Sequence, residues 1–239
     1  MSMKESKRFW SRKRSRGQSI VEFALMAPIL LILLSGLFEF GFLFTHYLAV
    51  LDAARNAARF SSDSQYDIRD GVTNCHGAAP TTDFYRQTAC LALDELANEQ
   101  PTITLCMPGT PISHDCSGNW DDMDDVIISV FSVLRKPSDA IVRFPSDAGD
   151  MGWSYDADLN FQAQGTVRNG MHISNYTTGQ ILGMLVNGTP NTGYVLVEIN
   201  YHYHQVLAMP WFTQFISDPI PLHIYAMWPL VSAEPTSTH

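Results

Sequence analysis

The apolar positions of this chain fall into three successive regimes. From Ile20 to Phe38 nearly every residue is apolar, and Glu22 is the one charge. A helix rises 1.5 Å per residue and roughly 20 residues span a hydrocarbon core of about 30 Å, so the stretch from Ile20 to about Tyr47 can cross a bilayer. Pro28 removes one backbone hydrogen bond and should loosen that helix, which membrane helices tolerate when packed against neighbours. Ala24, Ala27, Ser35, Gly36 and Gly41 offer small surfaces for close helix approach.

From Ala49 to Phe60 the pattern turns amphipathic. Ala53, Ala54, Ala57 and Ala58 form a small apolar face, and Asp52, Arg55, Asn56 and Arg59 supply polar groups. Arg55 and Arg59 are four residues apart and share a side. They read either as a solvated face or as a contact to a neighbouring subunit. Ser61-Ser62-Asp63-Ser64 ends the helix, which is expected over residues 18–62.

The third regime is a mixed domain over residues 63–231. Asp67–Thr82 is loop-like. A second helix fits Asp83–Gln100, capped by Thr82 or Asp83 and ended by Pro101, with Tyr85, Ala89, Ala92, Leu93 and Leu96 at helical spacing. Strands are expected at Thr102–Met107, Asp125–Leu134, Ala140–Phe144, Gly193–Leu207 and Leu222–Leu230, all rich in β-branched or aromatic residues. Residues 177–187 fit a short helix or a strand. Residues 232–239 read as a disordered tail. One long helix followed by a second helix and mainly antiparallel strands is an α+β order.

Charge sharpens this picture. Of the 15 basic and 24 acidic residues, seven and one lie before Gly17, which leaves 8 and 23 for the rest. Cations before the apolar run and few just after it place residues 1–17 in the cytoplasm and the domain outside, in a single pass. The acidic remainder argues against a nucleic-acid partner. A hydrophobic content of 46% is enough for a core in a domain of this size.

Candidate chemistry is sparse. Cys75, Cys90, Cys106 and Cys116 all follow the apolar run, and an even count in an exported domain favours disulfides. Three pairings exist, of which Cys75–Cys90 with Cys106–Cys116 is favoured on sequence proximity alone. Zinc is disfavoured, because no Cys-x-x-Cys pair occurs. His202 and His204 would share one face of a strand, as a metal pair lacking a third ligand or as an exposed strand face. Asp121-Asp122-Met123-Asp124-Asp125 invites calcium but lacks EF-hand spacing, and reads better as an acidic solvated turn. No catalytic or phosphate-binding motif is present, so neither an enzyme activity nor a cofactor is expected.

Glu22 is the remaining oddity. A carboxylate at that depth costs about 2.5 kcal/mol or more on insertion scales, so it calls for a partner. Cutting the chain after Gly17 would supply one, the new amine of Gln18. A basic leader, Gly17, and Glu22 five residues into the processed chain resemble a class III signal read by a prepilin peptidase. Gln18-Ser19-Ile20-Val21-Glu22-Phe23-Ala24, Pro28, Glu39-Phe40-Gly41 and Ala53-Ala54-Arg55-Asn56-Ala57-Ala58-Arg59 extend the match. Over residues 16–60 the chain resembles TadE-like pseudopilins, minor components of the tight-adherence (Flp) pilus system.

That resemblance implies a pilin-like fold, cleavage between Gly17 and Gln18, and assembly roles for Glu22, Glu39, Arg55 and Arg59. Glu39 alternatively reads as a carboxylate reaching headgroups at the outer interface. The implied partners are a prepilin peptidase, other pilins and pseudopilins, an inner-membrane assembly platform and membrane lipid. The implied location is the bacterial cytoplasmic membrane, with entry into a pilus left open. The domain is large for a major Flp pilin, which favours a minor, priming or tip role. The rivals are an anchored extracytoplasmic binding module, using Trp120, Trp153, Trp211 and Trp228, and an anchored hydrolase.

Overall fold

The structure, a computed structural model, describes residues 18–65, 83–99, 103, 105, 124–134, 140–145, 151–155, 173–185 and 192–233. Helix α1 runs without interruption over Gln18–Ser61, 44 residues that include Pro28. At 1.5 Å per residue it is about 66 Å long, more than twice a bilayer core. Helix α2 (Phe84–Glu99) follows, with Asp83 accepting the Arg86 backbone N–H at 3.1 Å as its N-cap.

Strands β1 (Asp125–Leu134) and β2 (Ala140–Phe144) have the bounds expected from the sequence. The two-residue β3 (Trp153–Ser154) was not foreseen and pairs with β1 beside β2. Gly152 brings it there: its φ is +79°, and a Cβ would stand 2.7 Å from Ser129 Oγ, so only glycine fits. Helix α3 (Thr178–Met184) resolves the helix-or-strand ambiguity. Thr177 and Gln180 form a reciprocal capping box at its start. Strand β4 (Thr192–Tyr203), the four-residue helix α4 (Pro210–Thr213) and strand β5 (Ile220–Leu230) complete the order.

All pairings are antiparallel, in the order β2–β1–β4–β5. The fold is therefore α+β, with a long apolar N-terminal helix, a second helix and a mainly antiparallel sheet. One sheet face packs under the helices. Ile128 lies opposite Val197, which lies opposite Ala226, and Ile199 lies opposite Ile224. All of these side chains are buried against Ala53, Ala54, Ala57 and Ala58 of α1 and the Tyr85, Ala89, Leu96 stripe of α2. Alanines let the helix approach the sheet closely, and burying the strand side chains they cover contributes about 1.5–3 kcal/mol for each Val, Leu or Ile.

The other sheet face carries a smaller cluster, Phe131, Ile181 and Leu196, closed by α3. Ser232 departs from the expected disordered tail: it sits in a turn over Val231–Ala233, and its hydroxyl donates to the Ser64 carbonyl at 2.7 Å. Residues 234–239 and most of Thr102–Met107 lie outside the described residues, although Ile103 and Leu105 are buried in the main core.

Candidate assembly and membrane interface

Helix α1 has two halves that meet at Glu39. Below it the large apolar side chains from Ile20 to Phe38 stand exposed, and Glu22 is exposed among them. Gly36 and Gly41 are open, with nothing within 4 Å of where a Cβ would be. These surfaces are available for lipid or for another helix. Among the described residues, α1 is the one helix long and apolar enough to cross a membrane.

Above the seam one stripe turns inward. Glu39, Leu43, His46, Val50, Ala54, Ala57 and Ser61 recur every three or four residues, and all are buried or half-buried. His46 Nδ1 lies 3.1 Å from the Tyr201 hydroxyl. At the far end Ser61 bonds Thr88 of α2, and Asn56 donates to Glu95 at 2.7 Å.

Glu39 does not reach toward headgroups, as one reading of the sequence had it. It is 3% exposed. Its Oε1 accepts the Tyr203 hydroxyl and the Val206 backbone N–H, each at 2.8 Å, and Oε2 accepts the Leu207 N–H at 2.8 Å. Three donors satisfy this carboxylate in a buried place. Burial, with the Glu39 hydrogen bond next, pushes the Tyr203 phenol above its ordinary range. The same contacts explain why β4 stops at Tyr203 and not at Leu207. The N–H groups of Val206 and Leu207 go to Glu39, and that of Gln205 goes to Asp218 at 3.1 Å.

The remaining sequence candidates are dispersed. Gly17 lies outside the described residues, and Gln18 opens α1. Arg55 pairs with Asp52 at 3.6 Å on the exposed side, and Arg59 is exposed on the next turn. Cys90 is disulfide-bonded, whereas Cys75, Cys106 and Cys116 lie outside the described residues. His202 and His204 engage different carboxylates. Asp124 accepts the His202 backbone N–H at 2.7 Å and lies 3.1 Å from its Nδ1, while His204 lies 3.7 Å from Asp218. The solvated acidic turn is corrected at its end: Asp124 and Asp125 are buried, Asp125 accepting the Ser154 hydroxyl. Residues 121–123 lie outside the described residues. Among the described residues no group of three or more metal-ligating side chains converges.

Sequence reasoning missed a polar layer on the outer sheet face. Glu198, fully buried, accepts from the Ser174 hydroxyl and the Asn175 N–H, and its Oε1 lies 3.0 Å from His223 Nε2. Arg143 donates to Ser129 and to the Tyr176 carbonyl, with its guanidinium 5.1 Å from the centre of the Phe131 ring. Beside this layer a cleft of 360 Å³ is lined by Asn175, Asn200, His202 and His223. Alternation along β4 places Glu198, Asn200 and His202 on one face, which was the available signal.

No curated protein and no solved structure matches the chain. Residues 17–59, Gly17 with nearly all of α1, match the family model described as TadE-like protein.

Proposed function

We propose that this chain is a membrane-anchored minor pseudopilin of the tight-adherence (Flp) pilus system, assisting assembly, priming or tip formation. The observation that carries the proposal is the division of α1. An exposed apolar half with one carboxylate continues as one helix into a half that holds the sheet, and the TadE-like match covers both. In this reading the precursor sits in the cytoplasmic membrane with its basic leader inside. A prepilin peptidase cuts after Gly17, and the catalytic groups belong to that enzyme and not to this chain.

The new Gln18 amine then meets the Glu22 carboxylate of an adjacent subunit. A charge-assisted pair in low dielectric offsets much of each group's burial cost and sets the stagger between helices. Glu22→Gln is expected to leave cleavage intact while incorporation into the pilus falls at least tenfold, because breaking a buried pair costs about 3 kcal/mol or more. Immunoblotting of sheared pili against membranes reads both, and wild-type incorporation would overturn the role of Glu22.

The second reading is an extracytoplasmic binding module on an unprocessed anchor, favoured by the cleft that Ile173 and Asn175 form with β4 and β5. Its function would survive deletion of the pilus machinery.

A further inference from the structure

The β4–β5 connection leans down along α1. Its base is tied by Asp218 on the Gln205 N–H and by the Gln205 side-chain amide on the Ile216 and Ser217 carbonyls, both at 3.3 Å. Ala208, at φ 41°, turns the chain sharply after the two N–H groups held by Glu39. Leu207, Met209 and Phe212 then face α1 across a narrow gap at Ser35 and Glu39.

At the tip, Trp211 Nε1 donates to Ser35 Oγ at 3.3 Å. Ser35 belongs to the continuous apolar run of α1, about 6 Å below Glu39 at the helical rise. Whatever environment surrounds that turn of the helix therefore also surrounds Trp211.

The outward side of this connection is mostly apolar, and beside the exposed Gln214 its tip carries no charge. Val206, Trp211, Phe215 and Ile216 are exposed, and Phe215, at 87%, is the most exposed large apolar side chain described. No Lys or Arg lies between His204 and Ile220, and the single acid, Asp218, is at the base, away from the tip. An apolar surface in water costs roughly 25 cal/mol per Å², so a tip of this kind calls for cover. Aromatic side chains with a polar edge, above all Trp, settle at the level of lipid headgroups, and interfacial segments sink about 5–10 Å.

We propose that residues 206–216 form a second membrane contact whose occupant is lipid of the leaflet on the domain's side. Trp211 and Phe215 lie in the interfacial zone beside α1. The contact rests on the reading that α1 spans the bilayer. With the Glu39 clamp it fixes the angle of the domain to the membrane, which a single helix cannot do.

The test places a photoreactive benzophenone amino acid at one position at a time in the full chain, reconstituted in phosphatidylcholine vesicles. Position 215 is compared with position 33, on the exposed part of α1, and with position 65, four residues past its far end. Lipid adducts read by mass spectrometry are expected at 33 and 215, several-fold above those at 65. Lipid adducts at 33 but not at 215 would overturn this inference alone, whether 215 stays unreacted or links to a second copy of the chain. Absence of lipid adducts at both would overturn the spanning reading and this inference with it.

Discussion

Two carboxylates stand on the same helix, about 25 Å apart along its axis, and meet opposite fates. Glu39 is spent inside the chain, holding one phenol and two backbone N–H groups. Glu22 stands on the exposed half, among side chains that no part of the described domain covers. One helix thus serves two environments. Its upper half is core, and its lower half is mostly exposed surface. The lesson is that a charge in an apolar helix has to be read with the stripe it belongs to. Glu39 shares a stripe with Leu43, Val50 and Ala54, whereas Glu22 precedes the buried stripe altogether.

The sharpest way to break this comparison is to remove each carboxylate in turn. Glu39→Ala is expected to lower stability by about 3 kcal/mol or more, since hydrogen bonds to a charged group contribute about 1.5–3 kcal/mol each and buried donors left unmade cost further. Glu22→Ala should leave stability within about 0.5 kcal/mol, as exposed substitutions usually do. Urea unfolding of the detergent-solubilised chain measures both, and equal losses would erase the distinction between the halves.

A smaller effect is expected from volume. Ala54→Leu pushes side-chain carbons into a closed helix–sheet contact and should cost about 1–3 kcal/mol. Ala24→Leu adds the same carbons to the open half and should change stability by less than about 0.5 kcal/mol. The same unfolding assay reads this pair. A large loss from Ala24→Leu would mean that the lower half is packed within the chain after all.

Much of this architecture was legible in the sequence because it is local. The alanine face of α1, the helical stripe of α2 and the β-branched runs of β1 and β2 are written in consecutive residues, and their bounds follow. What the sequence hid is non-local. The end of β4 is set by a carboxylate 167 residues away from Val206. The burial of Asp124 depends on His202, 78 residues later, and that of Glu198 on His223 and the segment before α3. Strand β3 carries two residues and helix α4 four, too short for any periodicity to register. The Glu39 clamp was half legible: helical spacing puts Glu39 on the inward stripe, while its partners, two of them backbone groups, leave no mark in the sequence.

The most direct test of the account is the N-terminal sequence of the membrane-extracted chain, from cells with and without a prepilin peptidase. A chain beginning at Gln18 is expected when the peptidase is present, and an uncut leader when it is absent. A chain still beginning at Met1 or Ser2 in both would contradict it, removing the amine that Glu22 is held to meet and leaving the anchored binding module as the better description.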